Sequence, residues 1–297
     1  DLIDSNLLFQ RLDTLSKRHR ITKWDLGASC SSDSSVQVDK GIAKQLKSSQ
    51  RNSLTLRVWN LEGTVGITST TDFSEKGLLR ALEAAFTASE FGNQTEIPSF
   101  SPQAKFTLPE LNRDLKEPIG IMKLLDMLKY AEKRLLSFHK SIDSVPYNGL
   151  SESKYKRIYI NSEGANRQIE RTQASLYLYS RAQENKKKPR SSGAIKLALG
   201  ANEIDIDSCI EESAQKTINH LNYKPIETGK YLVCFKPEAI LELINSFSSI
   251  FNARSILDGI SLSSKKSLGE QISVPCFNLT DNGLHKDNIG AVTFDGE

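Results

Sequence analysis

Histidine is scarce in this chain, and His19, His139, His220 and His285 never pair at helical spacing or stand directly before a glutamate. A zinc site needs two or three His, Cys or carboxylate side chains brought together, commonly announced by paired histidines on a helix. Each of the four therefore reads as a surface or helix-end residue. Cysteine is equally sparse: Cys30, Cys209, Cys234 and Cys276 lie far apart, with no C-x-x-C pair. They read as reduced thiols, with Cys30 and Cys234 expected in the core of strands. No G-x-S-x-G elbow, Walker loop or G-x-G-x-x-G is present, so the usual signatures of hydrolase, nucleotide and dinucleotide sites are missing. No run approaches the roughly 18 apolar residues that a membrane helix needs. The opening Asp1-Leu2-Ile3-Asp4 has neither a basic nor an apolar leader segment, so a cytoplasmic protein without a membrane partner is expected. An initiator Met is also absent, and residues before Asp1 are expected. Nor is there a surplus of one charge: 39 Lys and Arg face 36 Asp and Glu. A pI near 8.5 is too mild for a nucleic-acid surface.

What is present is an ordinary globular composition. The 297 residues are 38% hydrophobic and 25% charged, enough for two or three domains and a core without disulfide staples. Leu7, Leu8, Leu12 and Leu15 predict an amphipathic helix over 6–20. The period then changes to two. Trp24, Leu26, Ala28 and Cys30 alternate with Asp25, Gly27 and Ser29, as in a half-buried strand. Leu54, Leu56 and Val58 alternate again, and a turn at 60–63 leads into Thr64-Val65-Gly66-Ile67. This pair reads as a β-hairpin, with one or two further strands over 36–49. A helix follows, capped by Asp72 or Ser74, with Asp72 and Glu75 at capping-box spacing. Leu78, Leu82, Ala85, Phe86 and Ser89 share one face of it, and Phe91-Gly92 supplies the stop. Pro98, Pro102, Pro109 and Pro118 mark a linker.

Beyond the linker, Ile121, Leu124, Leu125, Leu128 and Leu135 form the stripe of another helix. Strands are expected at 157–160, 169–180 and 194–199, and a helix at 206–221. Glu203, Asp205 and Asp207 precede that last helix, where acids favour the positive end of the dipole. The basic stretch 185–190 reads as a solvated hairpin tip. After Pro225, Tyr231-Leu232-Val233-Cys234-Phe235 reads as a buried strand. Pro237 suits the first turn of a helix whose stripe, Ile240, Leu243, Ile244, Phe247, Ile250 and Phe251, predicts core burial. One strand, one helix and a Ser/Gly/Asn-rich stretch cannot bury a core, so this region reads as part of a larger domain. The expected class is α+β, built of an N-terminal α+β domain over 1–97, a linker over 98–118 and a middle α+β domain over 119–225. Both domains would combine mixed or antiparallel strands with helices. The start of a mainly β C-terminal domain would occupy 226–297.

Three stretches, taken in order, resemble one family. The first is LTLRVWNLEGTVGITSTTDFSEKGLLRALEAAFTASEFG (54–92), and the second GKYLVCFKPEAILELINSFSSIFNARSI (229–256). The third is SLGEQISVPCFNLTDN, followed by Ala291-Val292-Thr293-Phe294-Asp295-Gly296-Glu297. Together they are similar to the TldD/PmbA family, once described as modulators of DNA gyrase and later as peptidase components. TldD-like members carry a His-Glu pair and a second His on the helix after the strand-Pro element. Zinc there would lower the pKa of bound water to about 7, with the Glu as general base. In this sequence the corresponding positions are Asn245, Ser246 and Ser249, which are not zinc ligands.

The likeness is therefore to the PmbA/TldE branch, and it implies no catalytic residue, no metal and no cofactor in this chain. It places Asp295, Gly296 and Glu297 in a cleft loop. Family members continue well past that motif, so a C-terminal remainder is expected. The implied role is a non-catalytic subunit of a TldD/TldE-type metallopeptidase complex that degrades or processes unfolded or small peptides. Its partner would be a zinc-carrying TldD-like subunit, and the chain would be inactive alone. Without that partner a homodimer is expected. The alternatives are a stand-alone peptide-binding or DNA-gyrase-modulating protein, and a peptidase whose site lies past Glu297.

Overall fold

Helix α1 (Ser5–Arg18) starts at Asp4, whose carboxylate accepts hydrogen bonds from the Asn6 and Leu7 N–H groups. The structure is a computed structural model that describes residues 4–92, 99–109, 114–285 and 288–294. Strands β1 (Lys23–Asp39) and β2 (Ile42–Trp59) are longer than their alternating segments suggest. They form a single hairpin, so 36–49 is its tip and not a source of extra strands. Lys40 and Gly41 form the two-residue turn, with φ of 53° and 76°. Positive φ at both positions matches the right-handed twist of the flanking strands. Strand β3 (Val65–Thr70) pairs with the end of β2 through Trp59↔Val65, as the sequence predicts. Helix α2 (Glu75–Ser89) is capped by Ser74, which accepts the Gly77 N–H, and not by Asp72. Leu78, Leu82, Ala85 and Ser89 are buried, whereas Phe86 and Phe91 are exposed.

Helix α3 (Ile121–Leu136) is followed by β4 (Ile142–Asn161), β5 (Asn166–Ala182), β6 (Arg190–Ala198) and α4 (Ile206–Asn219). Asp205 caps α4 by accepting the Ser208 N–H. The six strands make one open antiparallel sheet in the order β3-β2-β1-β4-β5-β6. Even-numbered positions of β1, β2, β4 and β5 face the helices. Two apolar cores lie side by side on that face. Leu26, Leu54, Leu56 and Ile160 pack with α1 and α2, while Val36, Leu150, Leu176 and Leu178 pack with α3 and α4. No helix pair covers the opposite face among the described residues, and its odd-numbered positions are mostly polar, with Trp59, Ile169, Ile195 and Leu197 among the exceptions, as expected of a one-sided antiparallel sheet. Serine and threonine ladders cross it, Ser29–Ser53 at 2.8 Å, Thr55–Ser69 at 3.0 Å and Ser151–Ser175 at 2.8 Å.

The chain divides into two compact units, Asp1–Tyr223 with Gly283–Glu297, and Lys224–Asn282. In the first, Ala291 is buried and the Ile289 carbonyl accepts a hydrogen bond from Arg171. The second contains α5 (Pro237–Ser246), α6 (Ala253–Leu257) and short 3-10 turns. Tyr231-Leu232-Val233-Cys234-Phe235 is not a strand here, and all its large apolar side chains are exposed. A strand needs a neighbour for its backbone N–H and C=O groups, and none lies beside this segment among the described residues. Leu243 on α5 and Phe247 and Phe251 beyond its end are likewise exposed, so the apolar stripe expected from the sequence does not enter a core. Cys234 is exposed and Cys30 half-buried, whereas the fully buried thiol is Cys209 on α4.

Candidate functional site

Pro237 occupies the first turn of α5, with Glu238 beside it at the positive end of the helix. Asn245, Ser246 and Ser249 are all exposed near its C-terminal end, and the Ser246 hydroxyl donates to the Glu242 carbonyl at 2.9 Å. An amide and two hydroxyls offer no imidazole or carboxylate, so these positions do not fit a zinc ion. Among the described residues no three His, Cys, Asp or Glu side chains come together as a metal site would require. Asp295, Gly296 and Glu297 lie outside the described residues.

Thr293 and Phe294, just before them, line a cavity of about 530 Å³ on the helix-free face of the sheet. Strand register builds this cavity. Asp25 on β1 stands opposite Arg57 on β2 and Asn161 on β4, and Tyr159 on β4 stands opposite Arg167 on β5. The result is a row of polar side chains across four strands, all on the odd-numbered face.

Asp25 is only 2% exposed and is forked by Arg57, Nε to Oδ1 at 2.8 Å and Nη2 to Oδ2 at 2.5 Å. A buried carboxylate is tolerated when it is ion-paired and hydrogen-bonded in this way. The Tyr159 hydroxyl donates to Asp25 Oδ2 at 3.3 Å. Burial, reinforced by the Asp25 charge, pushes the Tyr159 phenol above its ordinary pKa and keeps it protonated as a donor. Asn161 accepts the Glu163 and Ala165 N–H groups, which folds the turn between β4 and β5. Its amide nitrogen reaches the Tyr159 oxygen at 3.5 Å.

The walls are aromatic. Trp59 meets Phe100 edge to face at 5.6 Å, the Arg57 guanidinium lies 5.6 Å from the Trp59 ring, and Lys23 Nζ lies 4.6 Å from the Phe100 centroid. Arg167 donates to the carbonyls of Gln103 and Phe106, tying the 99–108 segment to the sheet. Sequence reasoning missed this cavity. Asp25 stands out in the sequence only as an alternating strand position, and no local motif links 25, 57, 159 and 167.

Three sequence profiles described as PmbA/TldA metallopeptidase match the chain: domain 1 over residues 24–89, the central domain over 114–221 and the C-terminal domain over 228–297. The chain belongs to the PmbA/TldD family. No curated protein matches it. Among solved structures it is similar to a candidate modulator of a DNA gyrase from Thermotoga maritima. That likeness has a TM-score of 0.72 and 18% identity, over 88% of this chain and 59% of the other. A candidate modulator of DNA gyrase from Bacteroides thetaiotaomicron gives a TM-score of 0.74 and 16% identity, over 87% and 60%. TldE from Thermococcus kodakarensis gives a TM-score of 0.56 and 15% identity, over 72% and 47%. At such identities the likeness is one of fold. The chain spans 59% and 60% of the length of the first two.

Proposed function

We propose that this chain is a PmbA/TldE-like, non-catalytic subunit of a TldD/TldE-type metallopeptidase complex that acts on unfolded or small peptides in the cytoplasm. The observation that carries the reading is the end of α5 and the turn after it, where Asn245, Ser246 and Ser249 offer no zinc-ligating side chain. The exposed apolar side chains Leu243 on that helix and Phe247 and Phe251 just beyond it support a role completed by further protein surface. No helix among the described residues is long and apolar enough to cross a membrane. In this reading the segments 1–97, 119–225 and 226–297 act as domains, with 98–118 as linker.

The test is to purify the chain alone and with a TldD-like subunit, follow size by light scattering, and assay cleavage of an unfolded peptide. The expected result is a heteromeric complex, activity only in the mixture, and no stoichiometric zinc on this chain by elemental analysis. Peptide cleavage by the chain alone that survives a chelator would overturn the non-catalytic assignment. Absence of any complex at micromolar concentration would favour a stand-alone binding protein, such as a gyrase modulator or a homodimer.

A further inference from the structure

We infer that the cavity on the helix-free face of the sheet is a binding site for a carboxylate joined to an aromatic or apolar group, with Arg167 as the residue that receives the anion. This goes beyond the subunit role and does not depend on it, because every residue involved lies in the first compact unit.

Charge is the first reason. Among the described residues the lining contains two guanidinium groups, Arg57 and Arg167, and one carboxylate, Asp25. Asp25 is committed to Arg57 through the fork described above. Arg167 has no carboxylate partner among the described residues, and only its Nη2 donates, to two backbone carbonyls. A guanidinium has five N–H donors in a planar fork that matches a carboxylate. A partly buried Arg left without a counter-ion in a cavity therefore favours an anion there.

The remaining lining sets the class of anion. Trp59, Phe100 and Phe294 give flat apolar walls beside the charged row, and Tyr159 stays protonated, so it adds no negative charge to repel the ligand. A cavity of about 530 Å³ lies within the range of roughly 300–1,000 Å³ typical of small-ligand sites. That space holds a terminal residue of a peptide or a free aryl acid. A bare inorganic anion would leave the aromatic walls wet. The same chemistry has two sources, a free aromatic acid and the C-terminal carboxylate of a peptide that ends in an apolar residue.

Calorimetric titration of the purified chain with N-acetyl-phenylalanine and with its carboxamide separates charge recognition from aromatic partition. The acid should bind saturably, and the amide about tenfold or more weaker, as expected for loss of a charge-assisted hydrogen bond. The chain has two tryptophans. Trp59 is in the wall and Trp24 is buried in the opposite core, so the acid should also change tryptophan fluorescence. Arg167→Gln should weaken the acid about tenfold more than it weakens the amide, and Arg167→Lys should restore part of the loss. Phenylpropionate and a tetrapeptide ending in Phe distinguish the sources. Tighter binding of the peptide assigns the site to chain termini, and equal binding assigns it to free acids. Equal affinity for acid and amide, no saturable binding of either at millimolar concentration, or an unaffected Arg167→Gln variant would overturn the proposal. The acid–amide comparison on the unaltered chain remains decisive even where a variant fails to fold.

Discussion

Glu152 is a buried carboxylate on β4 that sits under the start of α3 and accepts the Ile119 and Gly120 N–H groups at 2.9 and 3.0 Å. The helix has no side-chain cap of its own, since its N-cap is Gly120, so a residue more than thirty positions away does the capping. Glu152→Ala should lower stability by about 2–3 kcal/mol in urea unfolding, because two hydrogen bonds to a charged group are lost. Cysteines make a second contrast at this scale. Burial raises the Cys209 thiol to about 11, which leaves almost no thiolate at neutral pH. Cys234 and Cys276 are exposed. An aromatic disulfide reagent should therefore label Cys234 and Cys276 rapidly in the native state and reach Cys209 only on unfolding. Labelling of Cys209 at the native rate, read by peptide mass mapping, would refute this burial. The sequence pattern placed Cys234 in a core. A short apolar run can tell that a residue suits a buried strand, but not that a neighbouring strand is there.

Elements meet through contacts of two kinds, steric and ionic. Gly66 on β3 lies against α2 so closely that an added Cβ would stand 1.7 Å from the Ala85 carbonyl oxygen. The obstruction is backbone, so Gly66→Ala must push α2 off the sheet. A loss of about 3 kcal/mol is expected, measured by denaturant unfolding, at the upper end of ordinary overpacking. The ionic contact joins α4 to β6. Glu212 accepts from Lys196 at 2.7 Å and from Lys216 at 2.6 Å. These hydrogen bonds, Lys196 first, hold the Glu212 carboxyl below its ordinary pKa, and Glu212 in turn raises Lys196. The lowered Glu212 contributes stability above the unfolded carboxylate pKa, and this is lost as pH falls through its folded value. The raised Lys196 contributes stability below the unfolded lysine pKa, lost as pH rises through its folded value. Glu212→Gln should flatten both limbs of the stability profile relative to the unaltered chain, with thermal melts across acid and alkaline pH as the measurement. Because these side chains are partly solvated, the effect should be small and should shrink in salt.

Over the whole molecule, burial is uneven. Leu128 on α3 is fully buried in one of the two cores, whereas Phe247 beyond α5 is about half exposed. Leu128→Ala should cost about 2–5 kcal/mol, as large-to-small changes in cores do. Phe247→Ala should cost less than about 1 kcal/mol in the same unfolding experiment, the reverse of what the apolar stripe of that helix alone suggests. The α+β class, the helices α1 to α5 and the β2–β3 hairpin were legible in the order of residues, and the family in the resemblance of three stretches. The elements rest on periodicity and caps between residues at most a few positions apart. Strand lengths were not, since the serine-rich middles of β1 and β2 carry no apolar alternation and hold only because neighbours satisfy their backbone. The candidate site was not legible either. Asp25 and Tyr159 are 134 residues apart, and they meet because β1 pairs with β4 in one register. Shifting that register by one residue would put the two side chains on opposite faces. Local sequence thus determined which elements form, and only the pairing of distant strands decided what stands together on the open face of the sheet.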